Sequence, residues 1–163
     1  LGTAYTGETG STTTSNANTI AHGSGGLTVA KLRTAKQTLD LSDVDPSIPR
    51  HIIVSPKQIS DLLNITEVTS SDFNTVKALA NGEINTYLGF NFIVSNRLSL
   101  SGTTRSCIAF AQDGLALGIG KDINARIDER ADKSYATQVY YCMSIGATRM
   151  EEDKVVEVQC TES

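Results

Sequence analysis

With 163 residues, 39% of them apolar and 20% charged, the chain has the length of one large domain or two small ones and enough apolar material for a core without staples. Its 14 basic and 18 acidic side chains leave a formal charge of −4, which speaks against a nucleic-acid or anionic-membrane surface, because phosphate binding needs clustered Lys and Arg. No apolar run approaches the ~20 residues of a membrane-spanning helix, and no signal peptide is visible, since the first basic residue is Lys31. An initial Leu1 in place of Met points to a fragment or processed product. Cys107, Cys142 and Cys160 are odd in number, far apart and set in apolar or alternating runs, so they read as buried reduced thiols.

Residues 1–26, "LGTAYTGETGSTTTSNANTIAHGSGG", carry one charge, Glu8, among Gly, Ser and Thr. That composition predicts a flexible surface arm, able to pair with a sheet only where a neighbour supplies the edge. Order is expected from "GGLTVAKLRTAKQTLDLSDVD". Thr28 is placed to cap a helix, and Val29, Leu32, Ala35 and Leu39 recur at helical spacing, with Lys31, Arg33 and Lys36 mostly opposite. The prolines of "DPSIP" end it.

In "RHIIVSPKQISDLLN", Ile52, Ile53 and Val54 predict a buried strand. Ser55 then caps, Pro56 takes the first helical position, and Gln58 completes a capping-box spacing ahead of Ile59, Leu62 and Leu63. The free N–H groups at this helix start could hold an anion. Without a Gly-rich loop before it, a structural use is the expectation. A third helix is predicted in "SSDFNTVKALANG", capped by Ser71 or Asp72 and stopped by Gly82.

"NTYLGFNFIVSNRL" alternates, with Leu88, Phe90, Phe92 and Val94 on one strongly apolar strand face. "SCIAFAQ" predicts another buried strand, and Ile123, Ala125 and Ile127 continue a β pattern. The last stretch reads as two strands joined by an acidic turn. Tyr135, Thr137, Val139, Tyr141, Met143 and Ile145 share one face; Gln138, Tyr140, Cys142 and Ser144 share the other. Three short helices and five or six strands, segregated in order, make an α+β class.

No catalytic constellation emerges. His22 and His51 lack a second His or a Cys at zinc-ligand spacing. "DLSDVDP" has the acids of a calcium loop but Pro46 where Gly is required. "GLALGIGK" fails as a phosphate loop, because Leu115 replaces the needed Gly and Asp122 follows Lys121. The run "KDINARIDERADK" alternates signs, as a solvated surface or salt bridges between copies would. No catalytic residue, cofactor or metal ligand is nominated.

Taken in order, "HIIVSP", "KQISDLL", "LGFNFIVSNRL", "CIAFAQDGLALGIGKDINARIDER" and "YYCMSIGATRMEEDKVVEVQC" resemble the C-terminal half of tailed-bacteriophage major capsid proteins of the Hong Kong phage-type fold. "LGTAYTGE" is similar to the stretch after that family's long spine helix. The resemblance implies a mixed sheet flanked by short helices, as in the family's axial domain, plus long C-terminal strands of its peripheral domain. It implies three segments: residues 1–26 flexible, 27–134 axial-like, and 135–163 returning to the peripheral domain. It implies a non-enzymatic shell subunit that associates with its own copies as hexamers and pentamers around DNA. Scaffolding, portal or decoration proteins would be further partners, no membrane is involved, and assembly in the host cytoplasm would lead to the virion.

The alternatives are an encapsulin-like or gene-transfer-agent shell protein, a decoration or receptor-binding module, and a small α/β hydrolase-like or anion-binding enzyme around Ser55. Loops at 66–72 and 95–105 lack apolar periodicity, as contact loops often do. With the charge run, they nominate Thr66, Ser70, Asp72, Asn96, Arg97, Arg105, Arg126, Glu129 and Arg130 as subunit-contact residues. Charge reversal at Arg97 or Arg105 is expected to disturb assembly and leave the fold intact.

Overall fold

A computed structural model describes residues 3–6, 12–65 and 86–162 of the chain. They form two compact units. The first takes in the chain up to Leu115 together with Arg149 onward, and the second is Ala116–Thr148.

The first unit is built on a seven-stranded mixed sheet. Its strands are β3 (Thr19–Ile20), β4 (Arg50–Val54), β5 (Thr86–Tyr87), β6 (Phe90–Val94), β7 (Leu100–Ser101), β8 (Thr104–Ala111) and β11 (Val155–Thr161). They run in the order β3-β11-β8-β4-β6-β5, with β7 added on β8. β4 and β6 are parallel, as are β11 and β3; β8 is antiparallel to both β4 and β11. Ahead of the sheet, β1 (Thr3–Thr6) and β2 (Thr12–Ser15) pair as a separate antiparallel hairpin.

Two helices complete the unit among the described residues. In α1 (Val29–Leu41) Thr28 Oγ1 accepts from the Lys31 N–H, and Val29, Leu32, Ala35 and Leu39 are buried, as their spacing predicts. In α2 (Pro56–Leu63) Ser55 and Gln58 form the capping box. One sheet face, carrying Ile52, Val54, Phe90, Cys107, Ala109, Ala111, Val156, Val158 and Cys160, joins the buried side of α1 and Leu62 in a single core. The opposite face makes a smaller cluster of Ile108, Phe110 and Val155 with Ile53 and Leu115. Strand period fixes this division, because successive side chains must leave by opposite faces.

The second unit is a two-stranded sheet of β9 (Leu115–Arg130) and β10 (Ala136–Arg149), whose ends reach into the first unit's residues. A turn of 3-10 helix at Ala131–Lys133 leads to Ser134 and Tyr135, both with positive φ (52° and 59°), which reverse the chain. Gly120 lies across from Ser144 and Gly118 from Gly146.

Several expectations change. Residues 12–26 are not a loose arm: β3 pairs with β11, and Asn16, 139 positions from Val155 in sequence, is buried and donates to its carbonyl. The edge that the segment needed comes from its own chain. The apolar alternation starting at Leu88 does not run through one strand. Leu88 (φ 51°) and Gly89 (φ 84°) form a two-residue turn between β5 and β6, the primed geometry that a tight hairpin needs. Along β6 burial fades from Phe90 to an exposed Val94. Cys107 and Cys160 are buried, but Cys142 is only half-buried; all three are free thiols. The helix expected at 71–82 lies outside the described residues. The expected boundary between 134 and 135 falls at the tip of the β9–β10 hairpin, and β11 belongs to the seven-stranded sheet.

Candidate functional site

Two features stand out from ordinary packing: a polar knot at one end of the sheet and the surface of the hairpin. At the knot, Glu162 follows β11 and its carboxylate gathers donors from three residues, one on β8 and two at the start of α2. Arg105 on β8 donates through Nε to Oε1 (3.0 Å) and through Nη2 to Oε2 (2.8 Å), while its Nη1 reaches the Leu98 carbonyl (2.8 Å). Ser55 Oγ (2.8 Å) and Gln58 Nε2 (2.9 Å) donate to the same Oε1. The Arg105 and Glu162 side chains are only 15% and 18% exposed. The paired guanidinium, then the Gln58 and Ser55 donors, hold the carboxyl down at about 2 against desolvation, which opposes them.

This arrangement answers the anion reading of α2. The carboxylate at the helix start is the protein's own, so Ser55, 2% exposed, faces Glu162 and not a substrate. Neither histidine stands beside it in a hydrogen-bonded set. His51 stacks on Phe110 at 5.6 Å, and His22 Nδ1 meets Thr161 Oγ1 at 3.2 Å.

Next to the knot, Lys31 Nζ on α1 is held by four backbone carbonyls, those of His22 (2.8 Å), Gly25 (2.9 Å), Gly26 (2.7 Å) and Gln159 (3.1 Å). The ammonium thus ties the segment before α1 to β11. A depression of about 500 Å³ lies beside the C-terminal end of α1, lined by Lys36, Asp40, Asp43, Arg50 and Leu88 among others. Two of its charged groups engage each other: Arg50 pairs with Asp40 at 2.6 Å and donates to the Val44 carbonyl. Among the described residues no group of three or more His, Cys, Asp or Glu could hold a metal, and no helix is long and apolar enough to cross a membrane.

The hairpin is the reverse of the knot. Alternation puts Leu117, Ile119, Ile123 and Ile127 of β9 and Val139, Tyr141, Met143 and Ile145 of β10 on one face, each at least 36% exposed. Gly118, Gly120, Asp122, Asn124, Gln138, Cys142 and Ser144 take the other. Solvated apolar side chains in such a run mark a contact surface.

The nominated contact residues fall on several segments of the chain. Thr66, Ser70 and Asp72 lie outside the described residues. Asn96 and Arg97 are exposed in the turn after β6. Arg105 is engaged within the knot, so reversing its charge would set two carboxylates against each other and disturb the fold itself. Arg126 and Glu129 are exposed on β9, and Arg130 at its end pairs with Asp132. Glu162 and Lys31 were not singled out from sequence; the partners of Glu162 lie as far as 107 positions away, with no local signal.

With this geometry in hand, comparison with known proteins is informative. No curated protein matches the sequence. Among solved structures, the chain is similar to one from Mycobacterium phage Che8 (TM-score 0.67, 18% identity, 88% of this chain and 53% of that one). It is also similar to the head structure of Helicobacter pylori bacteriophage KHP40 (0.66, 12%, 89% and 61%) and to the holo-SrpI encapsulin complex from Synechococcus elongatus (0.59, 11%, 89% and 53%). The chain therefore spans little more than half the length of these proteins, and at such identities the likeness establishes the fold, the Hong Kong phage-type. A family model described as "Phage capsid protein" matches residues 1–162. Nearly the whole sequence fits that model, so the chain belongs to the phage capsid protein family.

Proposed function

We propose that this chain is the C-terminal part of a shell subunit that packs against copies of itself, as hexamers and pentamers, into a closed container for DNA. The observation that carries the reading is the amphipathic hairpin. A lone two-stranded sheet is marginal in water, yet this one exposes Leu117, Ile123, Ile127, Val139 and Tyr141 on one face. Such a surface is useful when the rest of the full-length subunit or a neighbouring copy covers it. In this reading the seven-stranded unit corresponds to the axial domain, and the hairpin belongs with the peripheral domain. Family and fold imply a structural, non-enzymatic role, since shell formation needs repeated moderate contacts in a closed symmetry and no catalyst. The virion is the place of such a protein, after assembly in the host cytoplasm, with scaffolding, portal or decoration proteins as further partners.

Electron microscopy of the full-length subunit expressed alone tests this. Closed particles are expected, lost when Ile123 and Val139 are both replaced by Lys. A full-length subunit that stays monomeric across all concentrations, with scaffolding protein present, would overturn the reading. An encapsulin-like shell shares the fold, but the family match favours the phage capsid.

A further inference from the structure

After β3 the chain leaves the edge of β11 and returns to it at Gly25, and the Lys31 ammonium fills the gap between. Glu157 N–H donates to the Asn18 carbonyl (2.8 Å) and Thr161 N–H to the Gly25 carbonyl (2.9 Å), so odd residues of β11 face this segment. Gln159 lies between them, and its carbonyl takes the ammonium (3.1 Å) where a neighbouring strand would offer an N–H. The carbonyls of His22 (2.8 Å), Gly25 (2.9 Å) and Gly26 (2.7 Å) close round the same nitrogen.

Two properties separate this shell from an ordinary lysine contact. Four acceptors surround a group with three protons, so each cannot have a straight N–H of its own. Such a shell suits a sphere of charge better than a set of directed donors. The cage is also braced without the help of Lys31. The His22 carbonyl accepts from Gly25 N–H (3.1 Å) and the Gly25 carbonyl from Thr161 N–H. Gly23 and Ser24, with φ of 54° and 55°, turn the chain between them. Gly26 is set so close to α2 that a Cβ there would run into the Asp61 carboxylate.

The oxygens decide which ion fits. All four are neutral backbone carbonyls, at distances well beyond the ~2.3–2.6 Å of calcium and the ~2.0–2.1 Å of magnesium. Carbonyl oxygens alone are what proteins use to replace the water around potassium. We infer that the carbonyls of His22, Gly25, Gly26 and Gln159 form a site for a monovalent cation of the potassium or ammonium class, filled by the chain's own Lys31. The tether makes the ion permanent, so the segment before α1 is held to β11 whatever salt surrounds the protein. The contacts lie within one compact unit, and the inference is independent of the shell reading.

The test removes the tether. Lys31→Ala and Lys31→Met are made in the whole 163-residue chain. Each is melted beside the parent in potassium, methylammonium and tetramethylammonium chloride at one ionic strength. Lys31→Ala opens the site, while Lys31→Met fills it with an uncharged stem. In potassium or methylammonium, Lys31→Ala is expected to melt roughly 3–6 °C higher than in tetramethylammonium, the shift from a site at about tenfold its dissociation constant in a chain of this size. The parent and Lys31→Met should show no such rise. Equal salt responses in all three would overturn the inference. So would a Lys31→Ala chain that folds in no salt, because the cage would then not outlast its side chain. A second measurement needs only the nitrogen-labelled parent. Its Lys31 ammonium protons should exchange slowly enough to give an NMR signal, assigned by its loss in Lys31→Met, that the half-exposed Lys57 does not give. Lys31 protons exchanging as fast as those of Lys57 would equally overturn it.

Discussion

The seven-stranded unit and the hairpin use the same raw material in opposite ways. Both alternate apolar and polar residues with strand period. In β8 and β11 the apolar positions are covered by α1 and the neighbouring strands: Cys107, Ala109, Val156 and Val158 have no exposure at all. In β9 and β10 the equivalent positions remain open, Ile127 and Val139 at 71% each. The first pattern stabilises the chain alone, while the second stabilises nothing until a further layer arrives. Alternation in a sequence therefore says that a face will be buried, without saying by which molecule.

That contrast can be broken by substitution, and its largest test lies in the core. Replacing Leu32 or Phe90 with Ala should cost roughly 3–5 kcal/mol in denaturant unfolding of this chain. A loss under 1 kcal/mol would mean that the sheet and α1 do not share a core. Next comes Glu162→Gln, expected to cost about 2 kcal/mol at neutral pH, a figure discounted from the full shift for the carboxylate's remaining exposure. The folded carboxyl titrates at about 2, below its ordinary 4.5. Its contribution is therefore complete above 4.5 and fades as pH falls toward 2. The variant and the parent should converge in stability over that window, and a gap persisting at pH 2 would point to packing alone.

A smaller effect, about 1–2 kcal/mol, is expected for Lys31→Met, which leaves four carbonyls without their shared donor. Limited proteolysis near His22 should report the loosened segment. Smallest in this chain is Ile127→Thr on the hairpin, within about 0.5 kcal/mol by thermal melting, although the same change should impair particle formation by the full-length subunit. Arg97→Glu belongs to the same class: a neutral fold, with any defect confined to assembly.

How much could be read in advance follows from how local each cause is. Thr28, Val29, Leu32, Ala35 and Leu39 announced α1 because cap and period lie within four turns of chain. Ser55, Pro56 and Gln58 announced α2 for the same reason. Leu88 misled because its side chain fits a strand pattern while its backbone occupies a left-handed turn position usually given to Asn or Gly. The Gly/Thr composition before α1 described low apolar content correctly but could not reveal that β11, from the other end of the sequence, supplies the edge for β3. Glu162 was unreadable on the same grounds, since its partners Ser55, Gln58 and Arg105 converge only once the sheet exists. The hairpin's amphipathic pattern was plain in Tyr135–Ile145; its exposure was not, because exposure depends on what lies opposite.

The placement of β11 between β3 and β8 has a consequence for the moment of synthesis. A ribosome delivers β3, β4 and β8 well before residues 155–161, so a nascent chain holds the β8 side of its sheet as an open edge until β11 has emerged. Contacts of such sequence separation form slowly. Newly made copies crowded on one messenger would carry matching unfilled edges, and a strand borrowed from a neighbour would be the error to guard against.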